Sequence, residues 1–157
     1  MEIIRATEKH VPRLYAMLEQ VQKLHADGRP DIFINGTNKY GIEKTGEIIK
    51  GENTPVYVAI DGNGQAIGYA FCEIERFKGT PNLKERKVFY IDDLCVDENY
   101  RGRGVGKQLY DYVIKIAKDL GCYHLTLNVW HLNESAVRFY NKLGMKPLKT
   151  TMEQILD

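Results

Sequence analysis

Apolar residues along this chain occur in two patterns: short runs, and repeats at every third or fourth position. Runs or alternation by twos predict strands over residues 1–6, 56–60, 66–74, 87–96 and 124–129, and a final strand pair over 145–155. Apolar residues every three or four positions predict helices from Thr7 to about residue 25, and over 40–49, 104–120 and 133–143. Strands placed before, between and after helices predict a mixed α/β sheet.

Turn residues separate these elements. Asp61-Gly62-Asn63-Gly64 suits the positive φ angles of a hairpin turn. Residues 26–37 carry Gly, Pro and Asn-Gly and are expected to form a loop, as are the exposed residues 77–85. The first helix is expected to bury one apolar face, made by Val11, Leu14, Tyr15, Leu18, Val21 and Leu24.

Residues 88–109 combine an apolar strand with a glycine-rich helix start. Gly102, Gly104 and Gly106 remove side chains where a ligand would approach the backbone. Positive charge surrounds the free N–H groups of the helix start, supplied by Arg101, Arg103 and Lys107. Such a junction is expected to bind pyrophosphate.

Two common phosphate loops do not fit these residues. A Walker loop requires Gly where Arg101 stands, and Ser or Thr where Gln108 stands. The dinucleotide fingerprint requires two residues between its last two glycines, whereas only Val105 separates Gly104 from Gly106.

A third pattern does fit. Arg101, Gly104 and Gly106 match the Arg/Gln-x-x-Gly-x-Gly/Ala signature of the GCN5-related N-acetyltransferase (GNAT) family. The block NESAVRFY at 133–140, followed by Leu-Gly-Met at 143–145, resembles that family's last block and follows in the right order. The resemblance covers roughly residues 56–149 and is closest to polyamine and diamine acetyltransferases.

The resemblance implies the GNAT fold, in which two neighbouring parallel strands of a mixed central sheet splay and acetyl-CoA enters the gap. Backbone N–H groups of Leu94, Cys95 and Val96 would orient the pantetheine and polarise the thioester carbonyl. The loop would hold the pyrophosphate through Arg101, Gly102, Arg103, Gly104, Val105, Gly106 and Lys107. Asn133 would cap the last helix, while Ser135 and Ala136 would line the CoA groove.

The resemblance also implies catalytic roles. Tyr140 would be the general acid that protonates the leaving thiolate, although its position on an apolar helix face also suits a half-buried core aromatic. Asp92 would act on the amine, directly or through a water, because the family places a carboxylate there. Asp92 and Asp93 are consecutive strand residues, so their side chains are expected on opposite faces of the sheet. Glu73 and Glu75 would add negative potential, or simply mark a solvated strand face.

Acceptor specificity in the family lies in the loop after the first helix. His25, Arg29, Asp31 and Phe33 are therefore candidate substrate-binding residues, together with Glu73 on its strand. Solvation alone would also explain polar residues in a loop. The same two explanations apply to Trp130 and His131.

Composition narrows the remaining possibilities. The 157 residues are 43% hydrophobic, which suits one domain over residues 1–157 with its own core. The 22 basic and 21 acidic residues create no overall field that would attract nucleic acid or an anionic membrane. No apolar stretch approaches a membrane span, so a cytoplasmic protein is expected. The odd number and spacing of cysteines, Cys72, Cys95 and Cys122, suggest neither a disulfide framework nor a metal site.

The sequence thus predicts an N-acetyltransferase that moves the acetyl group of acetyl-CoA directly to an amine in a ternary complex. A small cationic amine is the leading acceptor. A peptide or protein N-terminus, or a non-catalytic acyl-CoA-binding module, remains an alternative. A homodimer is expected, because the family commonly pairs through C-terminal strands and residues 148–156 would otherwise form an exposed edge.

Overall fold

The computed structural model describes residues 1–156; Asp157 lies outside the described residues. Its strands are β1 (Glu2–Arg5), β2 (Val56–Ile60), β3 (Ala66–Phe77), β4 (Arg86–Val96) and β5 (His124–Leu127). Its helices are α1 (Val11–Gly28), α2 (Ile42–Lys50), α3 (Val105–Asp119) and α4 (Glu134–Lys142). Short 3-10 turns occupy Glu8–His10 and Glu98–Tyr100.

The five strands form one mixed sheet in the order β1-β2-β3-β4-β5, which confirms the predicted fold class. Neighbouring strands from β1 to β4 are antiparallel, and β4 and β5 are parallel. The turn between β2 and β3 uses the positive φ of Gly64 (77°). Helix α3 carries the chain from β4 back to the start of β5, as a parallel pair requires.

Helices cover both faces of the sheet. On one face, α1 and α2 pack on β3 through Leu14, Met17, Tyr69 and Phe71, all 1% exposed or less. On the other face, α3 and α4 cover Ala70 and Phe89. The side chains of Tyr69 and Phe71 therefore lie on the face of β3 that α1 and α2 cover, and that of Ala70 lies on the face that α3 and α4 cover. We call these the α1–α2 face and the α3–α4 face.

Two expectations about apolar residues were wrong. Leu24 is 44% exposed rather than buried, and Met17 is the residue that fills the core at that face of α1. The expected strand pair over 145–155 does not form within the described residues. Its apolar side chains have nothing to pack on, since Leu148 is 72% and Met152 85% exposed. An ion pair between Arg29 and Glu153 (2.7 Å) ties this tail to the end of α1 instead.

None of the helices among residues 1–156 is both long and apolar enough to cross a membrane.

Candidate active site

Strands β4 and β5 separate part-way along β4. Their pairing ends at Ile91 and Leu127, while β4 continues to Val96 with β3 alone as its partner. Within residues 1–156, the β5-facing backbone edge of residues 92–96 therefore has no strand partner. Leu94, Cys95 and Val96 lie on this edge, where the sequence predicts the thioester-binding N–H groups. The splay that the family resemblance implies is present.

A β-bulge lies at the start of this gap. Phe71 of β3 is opposite Asp93 and Cys72 is opposite Ile91, so Asp92 is an extra residue in β4. A bulge interrupts the alternation of side chains along a strand.

The bulge places both carboxylates on the α1–α2 face of the sheet. Asp93 accepts a hydrogen bond from the Tyr69 hydroxyl (2.9 Å). Asp92 accepts one from Tyr40 (2.6 Å), whose ring packs against Phe71. The expectation that Asp92 and Asp93 point to opposite faces was wrong, because it assumed a regular strand.

Asp93 is partly exposed, and the pKa of its carboxyl group is raised. Burial raises its pKa to about 6, and the neighbouring charge of Asp92 acts in the same direction, while the Tyr69 hydrogen bond opposes it. A carboxylate that releases its proton near neutral pH is suited to accept a proton from a substrate.

Asp92 is held by two donors from the segment before α2. The ammonium of Lys39 lies 2.7 Å from its Oδ1, and the same nitrogen donates to the Asp92 backbone carbonyl (3.3 Å). Burial raises the pKa of Tyr40, and the Asp92 hydrogen bond raises it further, so the Tyr40 hydroxyl remains a donor. Neither contact could be predicted from the residues along the chain.

Further carboxylates surround this point. Glu73 and Glu75 share the β3 face of Tyr69 and Phe71, because they follow at intervals of two residues. The charges of Asp92, Asp93 and Glu73 all raise the pKa of Tyr40, which places the three carboxylates around one site. Burial, followed by the charge of Glu73, raises the pKa of Glu75. We call Glu73, Glu75, Asp92 and Asp93 the acidic group.

Tyr140 approaches the gap from α4. Its partly buried ring lies 5.1 Å from that of Phe139 and 6.4 Å from that of Tyr110. Burial raises its pKa, and the charge of Asp93 is the next largest cause, so the hydroxyl stays protonated within electrostatic reach of Asp93. Tyr140 therefore packs in the α3–α4 core and is also a protonated donor near β4.

The glycine-rich loop forms the start of α3. Gly102 and Gly104 have φ angles of 75° and 79°, a region that L side chains rarely adopt. The first intrahelical bond runs from Gln108 N to Gly104 O (3.1 Å), so the N–H groups of the first turn have no partner inside the helix. Arg101 and Arg103 are exposed; Arg101 Nε donates to the Val96 carbonyl (3.1 Å), and Arg103 lies over the Tyr100 ring (5.2 Å). The loop has the backbone geometry of an anion site.

Gly106 serves packing as well as access. A Cβ on this residue would lie 3.3 Å from Phe139 Cζ and 3.4 Å from Val96 Cγ2. Its small size lets α3 approach both α4 and the end of β4. Val105 is buried, and Lys107 pairs with Asp111 (2.5 Å) rather than standing free.

Asn133 caps α4 as expected. Its Oδ1 accepts from Ala136 N (3.2 Å) and from the Ser135 hydroxyl (3.0 Å). Ser135 is exposed and Ala136 is partly buried at this helix start.

The end of α1 and the loop after it meet the loop after β5 in an aromatic cluster. The sequence predicts His25 in the loop, but it lies in the last turns of α1, because α1 continues to Gly28. His25 stacks on Phe33 (ring centroids 4.9 Å apart), and Trp130 packs edge-on against Phe33 (5.0 Å). Burial, followed by the charge of Lys39, lowers the pKa of His25. Arg29 is already engaged by Asp31 (2.7 Å) and Glu153, so its guanidinium ties the tail in place. His131 is exposed.

Comparison with known proteins agrees with this geometry. The model of the Acetyltransferase (GNAT) family matches residues 18–145 of the chain. This chain belongs to the GNAT family.

Two curated relatives each match part of this chain. An uncharacterised N-acetyltransferase of Methanocaldococcus jannaschii is 33% identical over 84 residues, 54% of this chain and 36% of that protein. The thialysine N-epsilon-acetyltransferase of Sus scrofa is 37% identical over 59 residues, 38% of this chain and 35% of that protein. The chain thus spans little more than a third of the length of these two curated relatives.

The solved structure of a tetramutant of the BH1408 protein from Bacillus halodurans is similar over the whole chain. It is 32% identical, with a TM-score of 0.96, and the alignment covers 99% of this chain and 100% of that one. The GNAT fold is therefore shared from end to end.

Proposed function

We propose that this protein transfers the acetyl group of acetyl-CoA directly to a primary amine, and that the amine is a small cation of the diamine or polyamine type. One observation carries this proposal. The bulge in β4 places Asp92 and Asp93 on one face of the sheet, at the point where β4 leaves β5.

The donor is expected to bind along the gap and the start of α3. The unpartnered N–H groups of the first turn of α3 are suited to pyrophosphate, with Arg101 and Arg103 in the loop that precedes them. The free edge of residues 94–96 would then orient the pantetheine and offer N–H groups to the thioester carbonyl. A donor fixed near developing negative charge stabilises the oxyanion that forms there.

Asp92 and Asp93 have different roles toward the acceptor amine. Asp92 holds the ammonium in place by charge and hydrogen bonding, as it holds Lys39 here (2.7 Å). Asp93, whose pKa is raised to about 6, accepts a proton from the amine. The neutral nitrogen attacks the thioester carbon, the C–S bond breaks, and Tyr140 donates its proton to the thiolate sulfur. The nitrogen loses its second proton to solvent, and solvent restores the proton of Tyr140.

Charge favours a cationic acceptor over a neutral one. An alkylamine with a pKa of about 10.4 arrives protonated, so its site must attract a cation and then remove a proton. Glu73 and Glu75 extend the negative potential beyond Asp92 and Asp93. The aromatic rings of His25, Phe33 and Trp130 offer apolar surface to the carbon chain of an amine. The N-epsilon group named for the thialysine acetyltransferase of Sus scrofa is likewise an alkylamine, although thialysine itself is an amino acid.

A thiol-release assay with acetyl-CoA tests this proposal. Diamines and polyamines should be acetylated with higher kcat/KM than aminoglycosides, amino acids, peptides or uncharged aromatic amines. Added salt should weaken the diamine reaction selectively, because it screens the acidic group. Peptides that outperform every polyamine would favour N-terminal acetylation instead, and no transfer to any acceptor would favour an acyl-CoA-binding module.

We also propose a homodimer. The tail over residues 145–156 exposes Leu148, Met152, Ile155 and Leu156 by 71% to 85%. Strand β5 is four residues long, and β4 is its one strand neighbour among the described residues. A second copy could cover both the apolar tail and the β5 edge.

A further inference from the structure

Lys39 occupies the position that the proposed function gives to the acceptor amine. Its Nζ lies 2.7 Å from Asp92 Oδ1 and 3.3 Å from the Asp92 carbonyl oxygen, at the bulge where β4 separates from β5. Its charge also acts on Asp93 and on His25, so the ammonium lies among the carboxylates and beside the aromatic cluster. Lys39 is a primary alkylamine, as the proposed acceptors are.

We propose that Lys39 is a site of self-acetylation, at which the protein transfers the acetyl group of bound acetyl-CoA to its own lysine when no small amine is present. This inference rests on the proposed function, because it uses the same site and the same donor.

The reaction balances as an ordinary acyl transfer. Asp92 holds the Lys39 ammonium, and one proton leaves it for Asp93, the proton acceptor of the proposed function, and is passed to solvent. The neutral Nζ attacks the thioester carbonyl carbon and an N–C amide bond forms. The nitrogen then loses its second proton to solvent, and the C–S bond breaks. The thiolate takes a proton from Tyr140, which solvent restores. The products are acetyl-lysine, CoA with a free thiol, and one proton released to solvent.

Position, and not pairing with a carboxylate, distinguishes Lys39 from other lysines. Lys23 pairs with Asp27 at 2.6 Å, but both side chains are more than half exposed on α1. Lys39 pairs with a carboxylate that is only 19% exposed and belongs to the strand that borders the gap. An amine already held beside its reaction partner has a large advantage in effective concentration. Lys23 therefore provides a matched internal control.

Acetylation would also change the acceptor site. It removes the positive charge that now neutralises Asp92, and it leaves that carboxylate free to bind a cation. The KM for diamines should therefore be lower for the acetylated protein than for protein with unmodified Lys39. We expect a change of about threefold, which is the usual contribution of a half-exposed ion pair such as Lys39–Asp92.

The test is to incubate the purified protein with acetyl-CoA alone and to follow each lysine by peptide mass spectrometry. Lys39 should gain an acetyl group at least about tenfold faster than Lys23. Its rate constant should not change when the protein is diluted, because the transfer is intramolecular. Lys39→Arg keeps the charge at Asp92 but should abolish the slow thiol release seen without an acceptor.

Equal acetylation of Lys39 and Lys23, or a Lys39 rate that falls in proportion to protein concentration, would overturn the inference. The acceptor panel separates this failure from failure of the proposed function. Protein that acetylates diamines and leaves Lys39 unmodified keeps the proposed function and loses self-acetylation. Protein that acetylates neither loses both.

Discussion

Tyr140 is both a core residue and a candidate proton donor, and the two roles depend on the same burial. Burial of its ring against Phe139 and Tyr110 raises the pKa of the hydroxyl and keeps the proton in place. The sequence placed Tyr140 two helical turns after Asn133, on an apolar face. That position predicts burial, but only the fold shows that the ring also lies within electrostatic reach of Asp93.

We expect Tyr140→Phe to lower kcat by roughly 10²-fold or more with little change in affinity for acetyl-CoA, because a positioned proton donor typically contributes 10²–10⁴. Phe keeps the packing of the ring. Tyr110→Phe is the matched control, since it removes a neighbouring hydroxyl from α3 and should leave kcat near wild type. Wild-type turnover by Tyr140→Phe, with chemistry rate-limiting, would leave Tyr140 a core aromatic only.

Asp92 and Asp93 show where reasoning from sequence fails at this scale. A regular strand places consecutive side chains on opposite faces, and the letters carry no sign of the extra residue at Asp92. Lys39 and Tyr40 lie where the sequence predicts only the end of a loop and the start of a helix. Their contacts with Asp92 depend on how Tyr40 packs against Phe71 of β3, which is a tertiary effect.

Most helices and strands were predictable because each has a clear period and clear end signals. The helices begin and end within about four residues of the sequence expectation, and the largest difference is at α1, which begins at Val11 rather than at Thr7. No repeat of apolar residues indicates that β4 and β5 splay apart, and only the family resemblance predicted it. The prediction of a last strand pair was wrong: residues 145–155 form no strand in the described structure, and the outer edge of β5 has no strand beside it there.

The start of α3 makes a prediction about CoA. Gly104→Ala should weaken CoA binding by about tenfold or more, because its φ of 79° is strained for Ala and a shift there would misdirect the N–H groups of the first turn. Isothermal titration calorimetry with CoA measures this directly. The new Cβ itself has room, with Gln108 Nε2 the nearest atom at 3.9 Å.

Gly121→Ala is the matched control for this prediction. Gly121 has a similar φ of 67° and open space around it, but it follows the other end of α3. It should lose comparable stability and bind CoA as the wild type does. Equal CoA affinity in folded Gly104→Ala and wild-type protein would contradict the phosphate-loop assignment.

The exposed tail over residues 145–156 and the outer edge of β5 bear on whether the protein forms a dimer. We expect light scattering to show a dimer at tens of micromolar protein, because the exposed apolar side chains of residues 148–156 need a partner surface. Met152→Glu should shift the equilibrium toward monomer, since it places a charge within that surface, whereas Lys149→Glu on the same tail should shift it less. A monomer at all accessible concentrations would remove the dimer proposal.

The pKa of Asp93 links the site to the activity and stability of the whole protein. Asp93 has a folded pKa of about 6, above its ordinary value of 3.8, so its ionisation costs stability as pH rises through 6. Asp93→Asn removes that cost and should fold at least as stably as wild type at pH 8, by thermal denaturation. Loss of activity in this variant therefore could not be attributed to unfolding.

The pH dependence of kcat/KM for a diamine, measured by thiol release in wild type, Asp92→Asn and Asp93→Asn, tests the two-carboxylate mechanism most directly. Wild-type activity should rise as pH passes through about 6, because Asp93 must be ionised to accept a proton. Asp93→Asn should lose this rise and about 10²-fold in kcat, whereas Asp92→Asn should keep the rise and mainly increase KM. An unchanged pH profile and kcat in Asp93→Asn would contradict the mechanism derived from the β4 bulge.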